Sequence, residues 1–241
     1  MSKRQRADQA LVELGLAESR NKAQAAIMAG QVWVGERRID KPGQQLGTDD
    51  IAKLEIRRAN DGYVGRGAQK LLPVLERTGI DASGRVCIDI GASTGGFTEV
   101  LLTQGASRVW AVDVGYGQLH PRLRDDPRVV VRERCNFRHW DDPDAPAFDL
   151  AVMDVSFISV RKLLDPLARS LRPGGDALIL VKPQFELGRD RVPRKGVVRD
   201  PALIDEAVQL VIDAAGAAFE IRERYAAGVA GRKGNQEQFL W

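Results

Sequence analysis

The chain has 241 residues, 44% hydrophobic and 29% charged, the composition of an ordinary soluble globular protein with material for one large core or a small and a medium one. No run of about 18 apolar residues exists to span a membrane, and Met1–Arg6 has no apolar stretch behind it to act as a secretion signal. The net charge of +3 falls wholly on residues 1–60, which suits attachment of a locally basic module to a polyanion.

In chain order, Ala7, Leu11 and Leu14 recur at helical spacing and Gly15 is placed to end that helix. Ser19 can cap a second helix with Ala23, Ala26 and Ile27 on its inner face and Gly30 as its stop. Val32–Val34, a Gly35-Glu36 turn and the segment Ile51–Ile56 read as short strands. So small an α+β unit has too little core for chemistry and reads as a recognition module. Arg6-Ala7-Asp8, Gly15-Leu16-Ala17, Ser19-Arg20, Gly30-Gln31-Val32, Val34, Gly35 and Lys41-Pro42 resemble the S4 RNA-binding domain over residues 3–56. The resemblance implies that Arg4, Arg6, Arg20, Lys22 and Lys41 meet RNA, mainly at phosphate, holding and orienting it rather than reading sequence.

From residue 85 onward, apolar strands alternate with helical stretches: Arg85–Ile90, Arg108–Asp113, Arg128–Arg132, Phe148–Met153 and Ala177–Val181. This is the pattern of an α/β fold with a mainly parallel sheet covered on both faces, whose ligands bind at the carboxyl ends of the strands. The first strand runs through Asp89 into Gly91-Ala92-Ser93-Thr94-Gly95-Gly96-Phe97, small residues that let the backbone turn and approach a ligand. A dinucleotide fingerprint needs glycine at position 93, and this chain has Ser93. Asp89 would repel a pyrophosphate but suits the ammonium of S-adenosylmethionine, and Asp113 at the second strand end can accept both ribose hydroxyls. Asn136, after the third strand, is a candidate for the adenine edge or an ordinary turn residue. The cofactor set is therefore Asp89, Gly91, Ser93, Gly95, Gly96, Phe97, Asp113, Asn136 and Asp154.

Lys70, Asp154, Lys182 and Glu237 stand where the carboxyl edge of the sheet is expected, Glu237 within a last strand at residues 234–241. Two lysines and two acids suit a hydroxyl nucleophile. Lys182 can act as general base if burial and the neighbouring Lys70 cation push its amine towards neutrality, with Asp154 and Glu237 orienting the lysines.

Gly-Arg-Gly-x-x-Lys at 65–70, the 89–97 loop, Met153–Ile158, Val181–Glu186 and Gly234-Asn235-x-Glu237 resemble the TlyA family across essentially the whole chain. That family joins an S4 domain to an FtsJ-like, Rossmann-like methyltransferase acting on cytidine 2′-oxygens of rRNA, and its tetrad carries over to Lys70, Asp154, Lys182 and Glu237. The resemblance implies an S4-like domain at 1–59, a linker at 60–67 and a methyltransferase domain at 68–241. It implies S-adenosylmethionine as cofactor and ribosomal RNA or subunits as partner. A cytoplasmic monomer is expected, with Cys87 and Cys135 reduced and in no metal-ligand spacing, and with no metal. Two other readings stay open: a membrane-acting haemolysin, for which no amphipathic or spanning segment is evident, and a non-catalytic ribosome-assembly factor. Residues 185–199 are either a mobile basic loop closing over RNA or a plain connection. Tyr63–Gly67 is a candidate coupling segment, and His120 and His139 read as structural.

Overall fold

The computed structural model describes residues 4–28, 31–35, 37–56, 62–188, 190–231 and 234–241. The expected Gly30 helix stop and the Glu36 half of the Gly35-Glu36 turn lie outside them. The chain divides into two compact units, Met1–Gly62 and Tyr63–Trp241.

The first unit contains β1 (Gln5–Arg6), α1 (Ala7–Glu13), α2 (Arg20–Met28), β2 (Val32–Val34), β3 (Arg37–Arg38), β4 (Gln45–Leu46), α3 (Thr48–Ile51) and β5 (Leu54–Ile56). β1 pairs antiparallel with β4, and a second sheet has the order β3-β2-β5. Ala7, Ala10, Leu11, Ala23, Ile27, Val32, Val34, Ile39, Leu46 and Leu54 form its core. The Ser19 hydroxyl accepts from the Lys22 amide at 3.3 Å, the N-terminal cap expected for α2. Two local expectations change. Leu14 is exposed, because α1 stops at Glu13 and Gly15, at φ +70°, turns the chain away from the inner face. Ile51 ends a helical turn, not a strand: Asp49 and Asp50 sit in the first turn of α3, where the positive helix end favours them, and the strand begins at Leu54.

The second unit is α4 (Ala68–Thr78), β6 (Val86–Ile90), α5 (Gly96–Thr103), β7 (Arg108–Val112), α6 (Pro121–Arg124), β8 (Val129–Arg132), β9 (Phe148–Met153), α7 (Leu164–Ser170), β10 (Leu171–Val181), α8 (Pro183–Glu186), α9 (Pro201–Ala215), β11 (Arg224–Ala226) and β12 (Gln238–Leu240). One seven-stranded sheet has the order β11-β12-β10-β9-β6-β7-β8. β10, β9, β6, β7 and β8 are parallel, and β12 runs antiparallel to β10 and β11.

Alternation along each strand sends side chains to opposite faces. Cys87, Val109, Ala111, Leu150, Val152, Leu178, Leu180 and Phe239 meet Leu71, Val74, Val100 and Leu101 of α4 and α5. Ile88, Ile90, Trp110, Val112, Ala151, Met153, Ile179 and Val181 meet Leu164, Leu167, Val208 and Val211 of α7 and α9. Both faces are thus covered, which explains why the central strands are mainly apolar. β10 starts at Leu171, six residues before the expected Ala177, with its register interrupted between Leu171 and Asp176 around Pro173-Gly174-Gly175. The chain order reverses direction across the sheet at β6 and β9, so the crevice beyond their carboxyl ends is the place where an open α/β sheet takes its ligand.

Candidate active site and cofactor cradle

The crevice is walled by the loop after β6. Gly91 lies at φ +87°, and a Cβ there would come within 2.6 Å of the Asp154 carbonyl oxygen on the neighbouring strand end. Gly95, at φ +97°, is crowded by Leu119 and Leu123, and Ser93 itself sits at φ +49°. The segment before α4 packs directly on this loop: a Cβ on Gly96 would stand 3.1 Å from Gly67 Cα, and the Val64 amide donates to Glu99 Oε2 at 2.6 Å. The amides of Gly91, Ala92, Ser93, Gly95 and Thr98 already donate within the protein. Four of the loop's N–H groups, and that of Thr98 in the first turn of α5, are therefore committed to the protein's own shape rather than held for a ligand.

Asp89 is fully buried. Its Oδ2 accepts from the Thr98 amide at 2.8 Å and the Thr98 hydroxyl at 2.6 Å, capping α5, whose own N-cap is a glycine without a side chain. Its Oδ1 is buried without a hydrogen-bond partner. Burial pushes the carboxyl up to about 7, with Asp154 and Asp113 adding to the rise and the Thr98 hydrogen bonds opposing it. Such an orphaned acceptor beside a glycine-lined crevice fits a cationic group, so the residues present suit the ammonium of S-adenosylmethionine. Asp113 accepts from the Ser93 amide at 2.8 Å and the Gly115 amide at 2.7 Å, one bond per oxygen, leaving acceptor capacity on each. Asn136 is exposed and caps a short 3₁₀ turn by accepting from the Arg138 amide at 3.1 Å. Phe97 is buried against Phe239, with ring centroids 6.1 Å apart.

The four residues expected at the sheet edge converge. Lys70, in the first turn of α4, places Nζ 2.8 Å from Glu237 Oε2 and 3.2 Å from Asp154 Oδ2. Lys182, directly after β10, places Nζ 2.5 Å from Asp154 Oδ1. Asp154 thus stands between the two amines. Burial alone would lower the Lys70 amine, but Asp154 and Glu237 outweigh it and hold it above its ordinary value. Asp154, which burial would raise, is held below its ordinary value by Lys182 and Lys70. Glu237 lies one residue before β12 and is nearly completely buried.

Four neighbours lie inside the motifs that carry the resemblance, where the sequence pattern assigned them no role of their own. Ser156 Oγ accepts from Lys182 Nζ at 2.9 Å. Phe157 is 92% exposed, at φ +67°, a conformation that costs a bulky residue about 1–3 kcal/mol. Glu186 is buried with donors from 159–161 around it. Asn235 is buried, accepting from the Val198 amide at 2.8 Å and donating to the Gly196 carbonyl at 3.0 Å. With Leu187 and Val198 packed on Ile204 and Ala207, these bonds pin both ends of the basic connection 185–199 to the body. His120 Nδ1 accepts from the Arg122 amide, and His139 is exposed.

In the first unit, Arg6 Nε and Nη2 and Arg20 Nε all donate to the buried Asp8, joined by Gln24 Nε2 at 2.9 Å. The Arg6 hydrogen bonds above all hold the Asp8 carboxyl well below the usual carboxylate range against the effect of burial. The Asp8 amide donates to the Pro42 carbonyl, which brings the Lys41-Pro42 turn to the start of α1. Arg4 and Lys41 are exposed, and Lys22 pairs with Glu18 one turn earlier on the chain.

Residues 63–241 match the model of the FtsJ-like methyltransferase family, and residues 5–51 match the S4 domain. The 16S/23S rRNA (cytidine-2′-O)-methyltransferase TlyA of Mycobacterium tuberculosis is 44% identical, with 100% of this chain and 90% of that protein covered. Hemolysin A of Brachyspira hyodysenteriae is 36% identical over 96% of this chain and 97% of its own length. A solved structure of a Streptococcus thermophilus protein designated a hemolysin is similar with a TM-score of 0.76 and 36% identity, covering 100% of this chain and 88% of that one. Two domain matches in the family's order, with full-length identity at this level, establish that the chain belongs to the TlyA family, an S4 domain joined to an FtsJ-like methyltransferase domain.

Proposed function

We propose that this chain transfers a methyl group from S-adenosylmethionine to a ribose 2′-oxygen, in a cytidine of structured ribosomal RNA. The observation that carries the reading is the convergence of Lys70, Asp154, Lys182 and Glu237 in the crevice beside the glycine cradle. The name of the Mycobacterium relative supports the acceptor atom and the nucleotide.

Gly91, Ser93, Gly95, Gly96 and Phe97 shape the cradle, Asp89 and Asp113 supply acceptors for the ammonium and ribose, and Asn136 offers its amide towards the adenine. S-adenosylmethionine supplies an electrophilic methyl on a sulfonium. A ribose hydroxyl must lose its proton as it attacks, and Lys182 is the group that accepts it. Asp154 and Ser156 fix where that amine points, each within hydrogen-bond reach. Lys70, kept protonated by Glu237 and Asp154, donates towards the acceptor oxygen and holds it in line. Such orientation is worth up to about 7–11 kcal/mol in favourable cases. Phe157, exposed at the rim, offers a face on which a displaced base can stack, worth about 1–3 kcal/mol.

Arg4, Arg6, Arg20, Lys22 and Lys41 of the first unit provide phosphate contacts, with Arg6 and Arg20 already oriented by Asp8. An S4-like domain and a methyltransferase domain, a monomeric state and a cytoplasmic location complete the reading. A membrane-acting role finds no support among the described residues, where no helix is long and apolar enough to cross a membrane.

The test is methyl transfer from labelled cofactor to ribosomal subunits and naked rRNA, followed by mapping of 2′-O-methyl sites. Lys182→Ala abolishes transfer while RNA affinity stays within about twofold. Wild-type transfer by that variant would sink the proposal.

A further inference from the structure

Glu186 is a buried carboxylate that the chemistry above does not use. Its side chain is fully buried, yet every side-chain partner it has among the described residues comes from one stretch of the neighbouring loop. Ser159 Oγ donates at 2.5 Å, the Val160 amide at 2.8 Å and Arg161 Nε at 3.3 Å. Arg161 Nη2 also donates to the Glu186 carbonyl at 2.9 Å. A carboxylate needed only to fold α8 would draw donors from its own segment; this one draws them from 25 to 27 residues away.

The two segments it joins carry the reacting groups. The loop after β9 runs from Asp154 through Ser156 and Phe157 to Ser159. The turn after β10 runs from Lys182 through Phe185 to Glu186. They touch in three successive places: Lys182 with Asp154 and Ser156, Phe185 with Phe157 at 5.4 Å between ring centroids, and Glu186 with Ser159–Arg161. Past Met153 and Val181 the sheet no longer holds either segment to the other. Phe157 is meanwhile held at φ +67°, a conformation that a loop free at its far end would leave.

We propose that Glu186 is a positioning residue, a clasp that closes the β9 loop against the β10 turn and so fixes the Lys182 amine on Asp154 and Ser156. The proposal rests on the assignment of Lys182 and Asp154 to methyl transfer.

Glu186→Gln preserves size and removes the charge and one acceptor. With cofactor and RNA both saturating, the single-turnover rate of methyl transfer falls about tenfold or more, while the dissociation constants of both stay within about twofold. Ser159→Ala removes one bond, lowers the rate less, and adds nothing when combined with Glu186→Gln, because both changes break the same contact. Exchange of the Val160 amide quickens about tenfold or more in Glu186→Gln, while amides of β6 keep wild-type rates. A wild-type rate in Glu186→Gln overturns the proposal. So does a rate loss matched by equal losses of cofactor affinity and folded fraction, the mark of general destabilisation. If the wild-type protein methylates no rRNA, the functional reading falls by itself, and amide exchange alone decides whether Glu186 holds the loop.

Discussion

Asp89→Asn separates the two duties of the buried acid at the end of β6. The replacement keeps an oxygen for the Thr98 amide and hydroxyl and removes the ionisable group. In the folded protein without cofactor the Asp89 carboxyl titrates at about 7, against about 3.9 for an unfolded aspartate. Between those values the folded state holds a proton that the unfolded state has released. Stability from this group is therefore complete at low pH and is lost as pH rises, by up to about 1.4 kcal/mol per unit until the folded carboxyl ionises. From pH 5.5 to 8 the loss comes to about 2 kcal/mol, since the slope flattens above 7. Asp8, Asp126, Asp142 and Asp154, all depressed, exert their effects below this window, and the thiol of Cys87, pushed by burial up to about 12, acts above it. Urea unfolding of wild type and variant without cofactor, at half-unit steps of pH, measures the difference. The stability gap between Asp89→Asn and wild type should move by about 2 kcal/mol in favour of the variant across the range. Parallel curves would refute both the raised titration and the orphaned Oδ1 as its setting. The companion measurement is cofactor affinity, which strengthens towards pH 8 in wild type as the carboxylate ionises opposite a cation and stays flat in the variant.

Gly91→Ala places a Cβ within 2.6 Å of the Asp154 carbonyl oxygen at φ +87°, so thermal unfolding shows a loss of about 2 kcal/mol or more, and cofactor titration shows weakened binding. Arg20→Ala leaves Asp8 held by Arg6 and Gln24, so the first unit stays folded. Its rRNA affinity nevertheless drops uniformly across sequences, and the log–log salt slope shrinks by about 0.7–0.9, one phosphate contact. An unchanged slope would place Arg20 outside the interface.

Local sequence determined much of this protein. Alternating apolar strands and helices fixed the two-faced sheet, because a strand buried on both sides is mainly apolar, and the five central strands lie within a residue or two of their expected positions at all ends but the start of β10. Ser93 in place of glycine and Asp89 at the strand end marked the cradle, and four charged residues at strand or helix ends marked the crevice. What periodicity could not settle were ends decided by single residues: Gly15 turning Leu14 outward, acidic residues winding Thr48–Ile51 into a helical turn, and a Pro-Gly-Gly interruption inside β10. β11 buries only Tyr225 between an exposed arginine and an exposed alanine, so it has no apolar run to mark it. Only the tertiary structure decided which charges meet. It placed Asp154 between two lysines, gave Glu186 its partners on another loop, and turned Arg6 and Arg20 onto a buried Asp8. The physical reason is that a side chain's burial and partners come from segments tens of residues away, and these settle whether a carboxylate is depressed, raised or spent on holding the backbone.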